Sequence, residues 1–428
     1  MGLRDHPPDG ATVAQWEREW LAQRPRRQLI AIGLLSLVAL ALYHRVLLRA
    51  GEFADETIYV AAASAVATGE SPFEVPGYYY PAAFAYLWAA TEKALAIPAW
   101  LVWRLANLAA AILLVWLAGI HVPVDERRWW LRPLLCAPLL AAPGISLALR
   151  TGNVSVLTAL LVAAGVLLAG HRPLRAGLLL GASVAIKPLA VPALMALAAP
   201  GVRRSRSGGA PPLAVLGAEQ RASALGLALA ALVLFAVPFS RELLAQPVEV
   251  LSTIRTVSFE RLFRLLGLPL PRLAVLAIVY GALAAAAAWW TRDRMERAVV
   301  ALAGAMVAAP LVWSHTMILG LPFLTLALAV HWPDLARNAR VPQPAQDAAV
   351  ARRHRLTALS VLALVALQLF FQPGGFDHHP VPVQVALSLP MLAAPPLTAA
   401  LLIRRMRSNA RSWRGSESDE DHGDAGSR

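Results

Sequence analysis

The polar residues that could do chemistry in this chain lie in short stretches between long apolar runs. Asp55 and Glu56 sit in Glu52-Phe53-Ala54-Asp55-Glu56-Thr57. Next come Gly69-Glu70-Ser71-Pro72-Phe73 and Gly77-Tyr78-Tyr79-Tyr80-Pro81. Arg104 and Asn107 open an apolar run, and Arg150-Thr151-Gly152-Asn153, Lys187-Pro188 and Trp313-Ser314-His315 follow. This is one carboxylate-bearing loop among several cations. That pattern suits a reaction on a lipid-linked anion, because a carboxylate can remove a proton while cations stabilise a phosphate leaving group.

The elements that must position these groups are membrane spans. Of the 428 residues, 58% are hydrophobic and 15% charged. A soluble domain is nearer half apolar and a quarter charged. The apolar residues form blocks such as Leu29 to Tyr43 and Val385 to Ile403, about the length that crosses a hydrocarbon core. The net charge of +13 is carried mostly by Arg clusters between the blocks, where it sets topology and does not point to nucleic acid. Cys136 is the single cysteine, so no intrachain disulfide can form.

Hydropathy alone makes Ala82 to Ile97 one span and Leu174 to Ala199 another. That choice exports Arg127, Arg128, Arg132, Arg172 and Arg175, against the excess of cytoplasmic positive charge expected of membrane proteins. Two changes repair it. Ala82 to Ile97 contains Glu92 and Lys93, follows Pro81, and is read as a membrane-surface helix. Lys187-Pro188 breaks the long segment, since proline disfavours helix at the preceding residue and interrupts the ladder. The prediction is an all-α polytopic membrane protein of about twelve spans with both termini inside. Its extracytoplasmic first loop carries juxtamembrane helices. Residues 1–28 are expected to form a cytoplasmic interfacial segment with Trp16 and Trp20, 29–403 the membrane domain, and 404–428 a disordered cytoplasmic tail.

At this point the chain resembles glycosyltransferase family 87 of the GT-C superfamily, bacterial mannosyl- and arabinofuranosyltransferases that use polyprenyl-phosphate sugars. The matching stretches are Asp55 with Tyr59 and Gly69, Tyr80-Pro81, Gly152-x-x-Ser155, Gly181 with Lys187-Pro188, and Pro310-x-x-Trp313-Ser314-His315. Departures exist: the family commonly has Gly-Gln-x-Asn at Gly152–Ser155, Tyr-Pro-Pro where Ala82 follows Pro81, and His-His where Thr316 follows His315. The resemblance implies inverting sugar transfer, with mannose as the leading sugar, to an extracytoplasmic glycolipid or glycan at the bacterial cytoplasmic membrane. It implies Asp55 as catalytic base. His315, Lys187, Arg150 and Arg104 would contact the donor phosphate, and Tyr79, Tyr80, Asn153 and Ser155 the sugar or acceptor. No cofactor and no metal are expected, as no Asp-x-Asp pair occurs in the first loop.

Other readings stay open. Glu56 is a second candidate base; on a helix it would point about 100° away from Asp55. Arg255, Arg261 and Arg264 recur at helical spacing and read as a membrane-facing amphipathic helix. Asp377-His378-His379 lacks the partners a metal site needs. Gly177 and Gly181 read as a close helix contact. An arabinofuranosyltransferase, a lipid-sugar flippase or transporter, and a non-catalytic scaffold are the competing functions. A transporter would place its charges at the bilayer midplane, commonly with internal repeats.

Overall fold

The computed structural model describes residues 25–48, 53–119, 130–199, 217–245, 262–263, 266–268, 271–291, 294–307, 318, 320–322, 356–365, 380, 382–383 and 392–407. Thirteen helices suffice to place the candidate site. They are α1 Pro25–Leu48, α2 Ala54–Thr68, α3 Ala82–Ala94, α4 Ala99–Gly119, α5 Leu131–Cys136 and α6 Pro143–Thr151. Then come α7 Ser155–Leu168, α8 Pro173–Ile186, α9 Val191–Ala198, α10 Ala218–Ala236, α11 Glu242–Ala245, α12 Arg272–Trp290 and α13 Arg294–Val307. The described residues contain no strand.

Helix α1 explains itself from its pattern. Ala31, Leu35, Ala39, Tyr43 and Leu47 recur every fourth residue and are buried, whereas Leu29, Leu37, Leu40, Leu42 and Leu48 are exposed. An apolar surface opposite an apolar buried stripe fits lipid as the outer solvent. The Tyr43 hydroxyl finds a partner in the Leu140 carbonyl at 2.7 Å. That carbonyl lies just before the break ahead of Pro143, where the paired segments Leu131–Ala141 and Pro143–Thr151 bend by 61°.

Among the described residues three helices are long and apolar enough to cross a membrane: Arg27–Leu48, Ala99–Gly119 and Ala218–Ala236. A fourth results if the bent pair is one span. Others of the expected twelve would have to come from shorter helices or from residues outside those described. Among the described residues α1 begins at Pro25, and proline suits a first helical turn. Among the described residues a helix runs over 392–407.

Two local expectations can be followed in detail. The segment Ala82–Ala94 is a helix of 13 residues, about 20 Å long, which is too short to span. It packs on α2 and buries Ala82, Phe84, Ala85 and Trp88. Helix α8 stops at Ile186; Lys187 is extended, and Pro188–Ala190 forms a 3₁₀ turn before α9. Gly177 and Gly181 let α8 lie close against α10: an added Cβ would come 2.8 Å from the Ala222 carbonyl and 2.6 Å from Leu229.

The first loop is docked by its own aromatic cluster. Tyr59, Tyr78, Tyr80, Phe84, Trp88 and Trp103 pack with Val154 and Ile186. Trp88 and Trp103 stack with centroids 5.9 Å apart. Val154 and Ile186 are the chain neighbours of Asn153 and Lys187, so apolar packing brings those two polar residues to the loop. At the other end of α7, His171, Arg294 and Glu219 gather: Arg294 is 3.3 Å from the His171 ring and 3.5 Å from Glu219. The bundle therefore has an Asp55 end and an Arg294 end.

Candidate active site

Asp55 and Glu56 lie in the first turn of α2, where negative charge is favoured by the helix dipole. Adjacent helix positions diverge by about 100°, and the two side chains part accordingly. Glu56 turns inward and is buried, while Asp55 stays half-exposed.

Glu56 meets Arg104 of α4. Arg104 Nε donates to Glu56 Oε1 at 2.5 Å, and Nη2 contacts Oε2. Arg104 Nη1 also donates to the carbonyls of Val46 at 2.9 Å and Leu47 at 3.5 Å, at the end of α1. The guanidinium lies 4.2 Å from the Phe53 ring and 4.4 Å from that of Trp100. Burial pushes the Glu56 carboxyl above its ordinary value, and Arg104 pulls it back.

Asp55 is served differently. Its Oδ2 accepts from Asn153 Nδ2 at 3.0 Å. Asn153 sits in the turn between α6 and α7, and its N–H reaches the Ala148 carbonyl at 2.8 Å. Gly152 makes that turn at φ +74°, and a Cβ there would overlap the Glu56 side chain. Both the backbone angle and the space therefore require glycine. Asn107 fixes the same region by accepting from the Leu157 N–H at 3.1 Å.

A directed chain of hydrogen bonds runs into Asp55. Lys187 Nζ donates to Ser155 Oγ at 2.7 Å. Ser155 Oγ donates to Asn153 Oδ1 at 2.5 Å, which also accepts from the Ser155 N–H at 3.0 Å. Asn153 Nδ2 then donates to Asp55 and to the Tyr80 hydroxyl, the latter at 2.8 Å. Such chains strengthen by mutual polarisation. Lys187 stands in the extended break outside both flanking helices, 5.5 Å from the Tyr80 ring. Burial lowers its ammonium to about 8, against the opposing pull of Asp55. Tyr59, 4.9 Å from Tyr80 edge to face, has a hydroxyl raised by burial and by the Tyr80 and Asp55 charges.

The structure thus gathers Asp55, Tyr80, Asn153, Ser155 and Lys187. It turns Arg104 toward Glu56. Arg150 is exposed in the last turn of α6, and Tyr79 is half-exposed beside buried Tyr80. His315, with Trp313 and Ser314, lies outside the described residues, as do Arg255, Arg261, Arg264 and the Asp377–His379 run. The Glu56–Arg104 pairing escaped sequence reasoning. The one hint was an arginine a turn inside an apolar helix, which must find an acceptor.

The family model described as glycosyltransferase family 87 matches residues 78–314, just over half of the chain. The chain belongs to glycosyltransferase family 87. No curated protein and no solved structure matches it. It is accordingly a membrane glycosyltransferase. The matched span takes in Tyr79, Tyr80, Arg104, Arg150, Asn153, Ser155 and Lys187, and it begins after Asp55 and Glu56. In this family-87 chain the two carboxylates therefore rest on their geometry: one is neutralised by a direct ion pair, and one is held by a neutral amide. Among the described residues Asn153 is the hydrogen-bond partner of Asp55, through Oδ2.

Proposed function

We propose that this enzyme transfers a sugar, mannose first among candidates, from a polyprenyl-phosphate donor to a hydroxyl of a glycolipid or glycan outside the bacterial cytoplasmic membrane. The observation that carries the reading is Asp55: a half-exposed carboxylate oriented by Asn153 at 3.0 Å, at the end of a chain that starts on the cation Lys187.

In the proposed reaction Asp55 removes the proton of the acceptor hydroxyl. The hydroxyl oxygen bonds to the anomeric carbon, the bond from that carbon to the phosphate oxygen breaks, and polyprenyl phosphate leaves with the electron pair. One in-line displacement inverts the anomeric configuration. Cations at the site offset the charge that develops on the leaving phosphate. Lys187 fills this role, joined by His315 and by Arg150 at the exposed edge. Ser155 lies between Lys187 and Asn153, so it couples those two beside the sugar site. Tyr80 is packed among Tyr59, Tyr78 and Phe84, which leaves Tyr79 as the ring free to meet a sugar. The expected topology places this end outside, opposite the Arg294 end.

The test is incubation of membranes carrying the enzyme with labelled polyprenyl-phosphate mannose and, separately, with labelled polyprenyl-phosphate arabinofuranose. Product analysis fixes donor, acceptor and linkage. Asp55→Asn is expected to abolish transfer while membrane expression persists. Transfer by Asp55→Asn at the wild-type rate would overturn the assignment of the base.

A further inference from the structure

We infer that Glu56 and Arg104 are a positioning pair that holds the first turn of α2 in register with the Asn153 turn, and that neither takes part in proton transfer or phosphate binding. The inference rests on the reading of Asp55 as the base. Four observations converge on it. Glu56 and Arg104 are each buried, with side chains 3% exposed, and meet through both carboxylate oxygens. A bidentate arginine–carboxylate pair fixes orientation as well as distance. Arg104 reaches the last turn of α1 through the Val46 and Leu47 carbonyls, so one guanidinium ties together the elements on both sides of the first loop's entry. Phe53, the N-cap of α2, and Trp100 of α4 lie against the same guanidinium. Finally, the Glu56 side chain fills the space over Gly152, where any Cβ would overlap it. Gly152 immediately precedes Asn153, the residue that holds Asp55. The pair therefore sets the distance between the two halves of the Asp55–Asn153 hydrogen bond without touching Asp55.

This assignment predicts a particular kinetic split. A misplacement of about 1 Å in a reacting group can cost about 100-fold in rate. Removal of a group that binds the donor equally in the ground and transition states shows instead in KM. Arg104→Met and Glu56→Gln are each expected to lower kcat by about 10–100-fold. KM for the labelled polyprenyl-phosphate donor that wild type accepts should stay within about threefold. The double variant should be no worse than the poorer single variant, because the two residues act as one unit. Arg104→Lys should recover only part of the rate, since an ammonium lacks the guanidinium fork.

A second readout needs no donor. Hydrogen–deuterium exchange in the peptide covering Phe53 to Tyr59 should rise in Arg104→Met and Glu56→Gln, while peptides of Ser155–Leu168 keep wild-type protection. Asp55→Asn is the control: it should stop transfer and leave exchange in α2 unchanged. If Arg104→Met does not accumulate in membranes, Glu56→Gln, which keeps the shape of the side chain, carries both measurements. A raised KM at constant kcat in Arg104→Met would make Arg104 a donor ligand and overturn the inference. Glu56→Gln as inactive as Asp55→Asn, with Arg104→Met still active, would make Glu56 the base and overturn it too. Unchanged exchange in α2 would overturn it whatever the donor. Activity in Asp55→Asn would sink the reading of the base alone, with the exchange data still deciding the pair.

Discussion

At one end of the bundle Glu296 meets its cation directly; at the other, Asp55 reaches Lys187 only through Asn153 and Ser155. Glu296 is 1% exposed on α13, and Arg407 of the 392–407 helix donates to it through Nε at 2.7 Å and Nη2 at 2.9 Å. Arg407 also contacts the Trp290 carbonyl. The Glu56–Arg104 pair has the same form. A carboxylate locked to a guanidinium has its lone pairs engaged. Asp55, by contrast, is held among the described residues by one amide, through Oδ2. The difference separates two geometries of one side-chain chemistry: direct pairing fastens helices, and relayed pairing is the arrangement proposed here to keep a base oriented.

The comparison breaks first at Asp55. If the relayed carboxylate is the reactive one, Asp55→Asn lowers sugar transfer by about 1,000-fold or more. Glu296→Gln, at the directly paired site, leaves the rate nearly untouched. Equal losses at the two would mean that mode of pairing says nothing about role. The rate of transfer in membranes of matched expression is the measurement.

Asn153 sharpens the comparison at the next level. Asn153→Ala removes the donor that orients Asp55 and leaves Ser155 and Tyr80 without their shared partner. A loss of about 10–100-fold is expected. Asn153→Asp is more informative. It puts a second carboxylate within 3.0 Å of Asp55, and like charges at that range raise the pKa of one of them. The acidic limb of the pH–rate profile should therefore move to higher pH in Asn153→Asp.

Lys187 gives a smaller, pH-dependent effect. Its ammonium is lowered to about 8 by burial, so it is charged below that pH and neutral above it. The charge at the head of the chain is lost as pH rises through about 8. Wild-type transfer should fall by about tenfold above that point. Lys187→Arg should hold its rate through the same range, because a guanidinium stays protonated. A wild-type rate that is flat up to pH 10 would show that this charge is not used.

Much of this arrangement was legible in the sequence, and for physical reasons. The Lys187-Pro188 break follows from what proline does to its neighbour, and α8 does end at Ile186. The Gly177–Gly181 spacing announced a close contact, and α10 fills it. Arg294 and Asp55 lie at opposite ends of the bundle. Pairings across long separations were not legible. Glu56 and Arg104 are 48 residues apart, and each looked like a site candidate by itself. A hydroxyl in a motif carries no sign of its burial, so the contact of Ser155 with Lys187 was not legible either. Hydropathy reports the length of apolar runs and not their partners, so short helices such as α7, α8 and α9 left the span count open.

The smallest effect on activity is expected at Glu296, and it tests the other half of the comparison. Glu296→Gln keeps the size of the side chain and one acceptor oxygen but removes the charge. Arg407 is 25% exposed at its side chain, so water can reach the guanidinium that loses its counter-charge. The cost should be on the order of 1–3 kcal/mol of stability, read as a lower melting temperature in detergent. The rate per folded molecule should change by less than about twofold, since Glu296 lies at the end of the bundle away from Asp55. Arg407→Met should give the same pattern, and the two substitutions together should cost less than their sum because they remove one interaction. A large fall in rate at unchanged melting temperature would mean that this end of the bundle communicates with the site, and direct pairing would no longer mark a purely structural carboxylate.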